Sequence, residues 1–316
     1  MVFYRRGYLF SKLFILLKAA CIRLRDVIGV SRYDLVLICR EAFLTGTTLF
    51  EKMIQRSGVP VIYDFDDAIW HFDISAANRS FGWMKNPGKT ARLISMADMV
   101  FAGNRYLADY ALHHNDRVEI VPTTIDTVEY VPVPFRDSSP VCIGWSGSIT
   151  TIRHFEMAVP VLKAIKEKFG AGVVFKVIGD GNYHNEQLGI RGIPWNKSSE
   201  LKELSGIDIG IMPLPDDEWA KGKCGLKGLQ YMALGIATVM SPVGVNTEII
   251  RDGENGMLAN GEEEWIEKLS MLIGSPDLRR KCAAAGRETV EKYYSVDAVK
   301  WKYLEHFKAL TSAKND

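Results

Sequence analysis

The chain has almost no net charge: 39 Lys and Arg against 38 Asp and Glu leave +1 at pH 7 over 316 residues. That balance gives no field for nucleic acid or for a strongly acidic partner, so neither is expected. Cysteine is sparse. Cys21, Cys39, Cys142, Cys224 and Cys282 are odd in number, widely spaced and without a C-x-x-C pair, which argues against a disulfide framework or a zinc site and for a reducing, cytoplasmic setting. No apolar run approaches the ~20 residues that span a bilayer; the one from Leu13 to Ile22 is broken by Lys18. Repeats of fixed period and low-complexity tracts are absent too. A composition 47% hydrophobic and 24% charged is that of a soluble enzyme, and the length allows one to three domains.

The N-terminal stretch from Tyr4 to Val30 has apolar residues at helical spacing, six Lys or Arg up to Arg25, and no acid before Asp26. Charges recur through its apolar part and no small-residue cleavage site follows, so it does not read as a signal peptide. Two readings remain open: a basic amphipathic helix lying peripherally on the inner face of an anionic membrane, or a helix packed on a parallel sheet.

Beyond it, strands and helices alternate to the end, the pattern of parallel sheets covered on both faces. Strands are expected at Tyr33–Cys39, Val59–Phe65, Met99–Ala102 and Val118–Val121, then at Val141–Trp145, Val173–Ile178, Ile207–Met212, Ala237–Met240 and Gly256–Leu258. Val131 to Pro140 has three prolines within nine residues. It cannot continue a sheet or a helix and is expected to be the linker between a domain 1–137 and a domain 138–295.

The most informative stretch runs from Lys223 to Gly256. It reads as a glycine turn at Gly225, a helix from Leu226 to Leu234, a stop at Gly235, a buried strand, and a loop with Pro242 and Gly244. A helix that starts behind a glycine turn aims free N–H groups and the positive end of its dipole at whatever lies in front, which makes an anion site. Lys227, in the first turn, adds a full charge suited to a diphosphate. Cys224 has no histidine partner in view and reads as a small neighbour of that site.

Gln230-Tyr231-Met232-Ala233-Leu234-Gly235, the strand after it, and the Glu248-Ile249-Ile250 to Leu258 stretch resemble, in order and spacing, the donor-binding segment of the retaining family 4 glycosyltransferases. The resemblance runs from Tyr33 to the end. It implies an α/β chain of the GT-B class: two Rossmann-like domains facing a cleft, the N-terminal one incomplete because only one helix precedes Tyr33. It implies no cofactor beyond a nucleotide diphosphate sugar, of UDP or GDP type, and no metal. In this likeness Gly147, Ser148 and Arg153 follow a strand end, with Arg153 and Lys227 clamping the diphosphate; Ser148 stands where the family usually has an arginine. Gly179-Asp180-Gly181 resembles the turn beside the nucleotide. Trp195 and Glu200 fall in the stretch near the base, and Cys224, Gly225 and Leu226 offer backbone to the phosphates and sugar. The family's pair of glutamates falls at Gly222 and Gln230, so an amide faces the ribose and sugar recognition shifts toward Asp216, Asp217 and Glu218.

On the other domain Asp64, Asp66 and Asp67 end a strand. They invite a metal, yet GT-B enzymes neutralise the leaving group with cations and a helix dipole, so the resemblance assigns Asp66 and Asp67 to acceptor orientation or general base work; Asp67 also reads as a helix cap. Arg40-Glu41 lies on the same strand-end rim. Asn104 and Asp126 read as a helix cap and a turn. The implied activity is metal-independent glycosyl transfer with retention (EC 2.4 type) to a glycan or lipid-linked hydroxyl, in bacterial envelope or capsular polysaccharide synthesis. The alternative is a catalytically impaired nucleotide-binding or partner-binding module. A last helix, Val296 to Leu310, carries a wide apolar stripe and is expected to cross back onto the first domain.

Overall fold

The computed structural model describes residues 9–43, 45–71, 86–137 and 139–312. Tyr4 to Tyr8 of the expected N-terminal helix and Ser138 of the expected linker lie outside them. The chain forms two compact units, 1–122 with 301–316, and 123–300.

In the first unit α1 (Leu9–Ile28), β1 (Val36–Cys39), α2 (Leu49–Arg56), β2 (Val61–Phe65), α3 (Gly88–Met96), β3 (Met99–Ala102), α4 (Arg105–Leu112) and β4 (Val118–Ile120) follow in order. The four strands pair in parallel in the order β1-β2-β3-β4. Ile62, Val100 and Phe101 are fully buried, as expected of a sheet covered on both faces. Asn104 caps α4 by accepting from the Leu107 N–H at 2.9 Å. Lys89 of α3 is buried and reaches Glu41 at 2.9 Å, Glu51 at 3.4 Å and the carbonyl of Phe43 at 2.6 Å, which pins the loop after β1 to α3. A buried ammonium is stable only with such partners.

The second unit contains β5 (Val141–Ser146), α5 (Ile152–Phe169), β6 (Val173–Gly179), β7 (His184–Asn185), β8 (Ile190–Arg191), β9 (Ile193–Pro194), α6 (Glu200–Leu204), β10 (Ile209–Met212), α7 (Glu218–Lys221), α8 (Leu226–Ala233), β11 (Ala237–Met240), α9 (Asn246–Ile249), β12 (Met257–Leu258), α10 (Gly261–Gly274) and α11 (Pro276–Thr289). Six strands form a parallel sheet ordered β12-β11-β10-β5-β6-β9. The expected strands are all present: β1, β2, β4, β10 and β12 are shorter by one to three residues, β3 and β11 have the expected bounds, and β5 and β6 each run one residue further. The β7-β8 hairpin and β9 were not foreseen: two residues each are too short for a periodic signal.

The chain enters the second unit at Thr123, earlier than the proline-rich stretch expected as the linker. That stretch is extended and docked: the Val133 N–H donates to the Leu234 carbonyl at 3.0 Å, and the Phe135 ring lies 4.6 Å from the Arg280 guanidinium. Proline forbids ladder pairing but not packing. Asp126 closes the turn before it, accepting from the Val128 N–H at 2.9 Å. The last helix, α12 (Val296–Ser312), begins in the second unit and from Trp301 onward belongs to the first. There Tyr303 packs edge-on to Phe101, and Lys302 pairs with Glu119 at 3.0 Å.

Candidate functional site

The C-terminal edge of the six-stranded sheet gathers most of the expected binding residues. β5 and β6 run in register and both end in glycine turns. The Gly147 N–H donates to the Ile178 carbonyl at 3.0 Å. Gly179 has φ +142°, and a Cβ there would lie 2.2 Å from the Gly147 carbonyl oxygen; a Cβ on Gly147 would meet the Trp145 ring at the same distance. Only glycine permits this backbone-to-backbone approach. Ser148 and Thr151 cap the turn reciprocally, with the Ser148 N–H donating to Thr151 Oγ1 at 2.8 Å. Asp180 Oδ1 accepts from the Asn182 N–H at 2.9 Å, so it shapes its own turn. Arg153 is exposed in the first turn of α5, on the rim reached by β5.

α8 supplies the second part. Gly225 caps it with φ +72°, and a Cβ there would clash with Ile249 at 2.3 Å. Behind this cap the first-turn N–H groups of Leu226, Lys227 and Gly228 have no helical acceptor, and the helix dipole adds partial positive charge. Leu226 is exposed, whereas Cys224 is buried with Sγ 3.8 Å from the Gly222 carbonyl. Fully buried Tyr231 ties the helix to β5, its hydroxyl accepting from the Ser146 N–H at 2.7 Å over the glycine face of Gly210.

The third part is a polar network that sequence spacing could not show. Lys227 Nζ donates to Gln230 Oε1 at 3.0 Å and lies 3.8 Å from Glu200 Oε1. Gln230 Nε2 donates to the Tyr130 hydroxyl at 2.5 Å and approaches Glu200 Oε1 at 3.4 Å. The Trp195 indole N–H donates to the same Glu200 oxygen at 2.9 Å, and the Trp195 backbone N–H reaches the Gly179 carbonyl at 3.3 Å. The network therefore joins the β6 glycine turn. Burial lowers the Lys227 pKa, while the charge of Glu200 acts in the opposite direction. Trp195 is 50% exposed and is no core residue. Tyr130 was missed because it lies 100 residues before Gln230, in a stretch read as leading to a linker. Arg287 positions it, donating to the carbonyls of Tyr130 and, at 2.6 Å, of Ala233.

This geometry gives the glutamine a reason. A carboxylate at position 230 would stand against Glu200, and like charges at that spacing raise each other's pKa. Glu200 carries the negative charge instead. The acidic run Asp216 to Glu218 is turned to local structure: Asp217 caps α7 through the Ala220 N–H at 2.7 Å, and Glu218 pairs with Lys221 at 2.8 Å. The Asp-Gly-x-Asn-Gly turn also holds itself together. Asn255 accepts from the Arg251 N–H at 2.7 Å and donates to Thr289 at 3.0 Å, and Asp252 accepts from the Leu258 N–H at 2.9 Å.

In the first unit the strand ends bring Asp66 and Asp67 to one guanidinium. Arg40, held at φ +61°, donates through Nε to Asp66 at 2.8 Å and through Nη2 to Asp67. Asp66 and Asp67 were expected to orient the acceptor or act as general bases; here each has one carboxylate oxygen engaged by the same guanidinium. Among the described residues no group of three or more His, Cys, Asp or Glu side chains is arranged to hold a metal ion. Asp64 is the perturbed carboxyl. Burial pushes it up to about 6, the Asp66 charge adds to this, and the hydrogen bond from the Cys39 thiol, 3.8 Å from Oδ2, acts the other way.

Since the folded-state value lies above that of the unfolded chain, about 3.9, the folded protein keeps a proton over roughly pH 4–6 that the unfolded chain has released. Stability from this group is greatest below that window and falls as pH rises through it. Asp64→Asn is expected to reduce that fall by on the order of 2 kcal/mol. Denaturant titrations at both ends of the window check this; an equal decline in variant and wild type contradicts it.

Residues 140–275 match the glycosyl transferases group 1 family. No protein of curated function is similar enough to be matched. Several solved structures share the fold. TarM superposes with a TM-score of 0.65 at 12% identity over 86% of this chain and 54% of that one, so the chain spans about half of TarM's length. Sucrose-phosphate synthase from Thermosynechococcus elongatus gives 0.66 at 14% identity over 98% and 80% of the two chains. Anabaena HepE, solved in complex with UDP and glucose, gives 0.68 at 13% identity over 90% and 80%. The chain therefore has the GT-B fold, with two parallel sheets like those of these structures, and its segment 140–275 matches the glycosyl transferases group 1 family.

Proposed function

We propose that the chain transfers a sugar from a nucleoside diphosphate sugar to a hydroxyl acceptor with retention of configuration and without a metal ion. The observation that carries this is the start of α8, where the Gly225 cap, the first-turn N–H groups and partly buried Lys227 converge beside Glu200 and Gln230. A diphosphate placed there meets the helix dipole and an ammonium whose shared carboxylate it can partly displace. Arg153 approaches the same phosphates from the β5 turn. The diol of the ribose is held by Glu200 with Gln230 in support, since an ionised acceptor makes the stronger hydrogen bond. Trp195 offers its exposed ring to the base. As the donor bond breaks, charge accumulates on the diphosphate, and the acceptor hydroxyl attacks from the same side, passing its proton to the departing oxygen. UDP is the favoured carrier, by analogy with the UDP held by HepE. The acceptor is a glycan or lipid-linked sugar of a bacterial envelope or capsular polysaccharide, elongated in the cytoplasm.

A second possibility, nucleotide binding without turnover, is favoured by the Arg40 pairing of Asp66 and Asp67. Two measurements bear on the first proposal. Nucleoside diphosphate binding and transfer should persist in EDTA, because cations of the chain cancel the leaving-group charge. The product's anomeric signal should match that of the donor. Activity abolished by EDTA and restored by Mn²⁺ or Mg²⁺ would sink the metal-free mechanism.

A further inference from the structure

α1 is packed the wrong way round for a helix of a soluble domain. Its inward side, toward α2, presents Lys12, only 6% exposed, and Val27, with Ala19 and Ala20 half-buried. Arg23 Nε anchors that side by donating to the Ala42 carbonyl at 2.8 Å. The outward side presents Phe10, Phe14, Leu17, Cys21, Leu24 and Ile28, all exposed, with Phe10 at 90%, Phe14 at 68% and Ile28 at 74%. Steps of four and three residues keep these on one line along the helix, a stripe about 27 Å long. A continuous apolar stripe of that length is unusual on a surface that meets only water.

The charges beside the stripe decide what covers it. Lys18 and Arg25 fall along one flank of the stripe, and Arg5 and Arg6 precede the helix in the sequence. The one acid of α1, Asp26, is ion-paired with Arg23 at 3.2 Å and Arg25 at 3.6 Å. A second copy of the chain seated on the stripe would add the same basic flank and no compensating carboxylate. An anionic bilayer supplies both missing partners: acyl chains for the phenylalanines and leucines, and phosphate headgroups for the lysine and arginine. No described helix is long and apolar enough to cross a membrane, and α1 is suited to lie in the interface plane.

We propose that the outward stripe of α1 docks the chain peripherally on an anionic phospholipid surface. The test is co-sedimentation of the full chain with vesicles of phosphatidylcholine alone and with phosphatidylglycerol added, in low and high salt. Binding should favour the anionic vesicles and weaken with salt. Leu17→Glu with Leu24→Glu should cut binding about tenfold or more with unchanged circular dichroism, since both side chains point to solvent. Lys18→Ala with Arg25→Ala should weaken binding to anionic vesicles by about fivefold per residue and leave neutral vesicles unaffected. The proposal is overturned if the wild type binds neither vesicle, if the double glutamate variant binds as well as wild type, or if light scattering shows a dimer that this variant dissolves while vesicle binding is absent. Vesicle binding needs no substrate, so its failure would leave the transfer activity standing, and the reverse.

Discussion

Lys227→Ala should weaken the binding of a nucleoside diphosphate by about 1.5–3 kcal/mol, roughly ten- to a hundredfold, and leave the matching nucleoside almost unaffected. The side chain stands in the first turn of α8, where its ammonium bonds Gln230 and pairs with Glu200 but makes no contact with the exposed Trp195 ring that would stack on a base. Its loss also leaves Glu200, mostly buried, without its cation, so part of the effect is repulsion between that carboxylate and the phosphates. Calorimetry with UDP and uridine separates the contributions. Equal losses for the two would place Lys227 away from the phosphates.

The largest effect on the fold is expected from Gly179→Ala. The residue sits at φ +142°, where an L side chain is strained, and its new Cβ would press to 2.2 Å from the Gly147 carbonyl, a backbone atom that has no rotamer to yield. Strain and overpacking together should cost about 2–4 kcal/mol, and the β5 and β6 turns would move apart, taking Ser148 and the Trp195 contact with them. Thermal unfolding should show the loss, and nucleotide binding should fall in parallel. A variant as stable as the wild type would mean that the turns are not in this register. Gly253→Ala makes a useful control: φ is also positive, at +77°, but no atom lies within 4 Å of the added carbon, so only the conformational part of the cost, on the order of 1 kcal/mol, should appear.

Much of the second unit was legible in its sequence because its signals are local. Gly225 and Gly235 bracket α8 by the left-handed conformations they adopt, and short apolar runs between glycine and proline mark buried strands. The motif from Glu248 to Leu258 also found its place, where Asp252 and Asn255 hold a turn together. What stayed hidden was long-range. Nothing in the order of residues says that Tyr130, Glu200 and Gln230 share hydrogen bonds, or that Arg287 fixes Tyr130 from α11. The pairing of Asp66 and Asp67 with Arg40 was invisible for the same reason: it depends on the register of β1 against β2. The amphipathic character of α1 was plain in the sequence, while the side that faces water was not, because periodicity gives a stripe and no direction.

The most direct test of the central claim, that this chain turns over a nucleotide sugar, is release of nucleoside diphosphate from a panel of UDP-, GDP- and ADP-sugars by the purified chain in EDTA, followed with and without added acceptor sugars. One donor class should be consumed, slowly by water and faster when the right acceptor is present, and Lys227→Ala should abolish most of that release. Tight binding of a nucleoside diphosphate with no release from any donor under any acceptor would contradict the account and leave a nucleotide-binding module in its place.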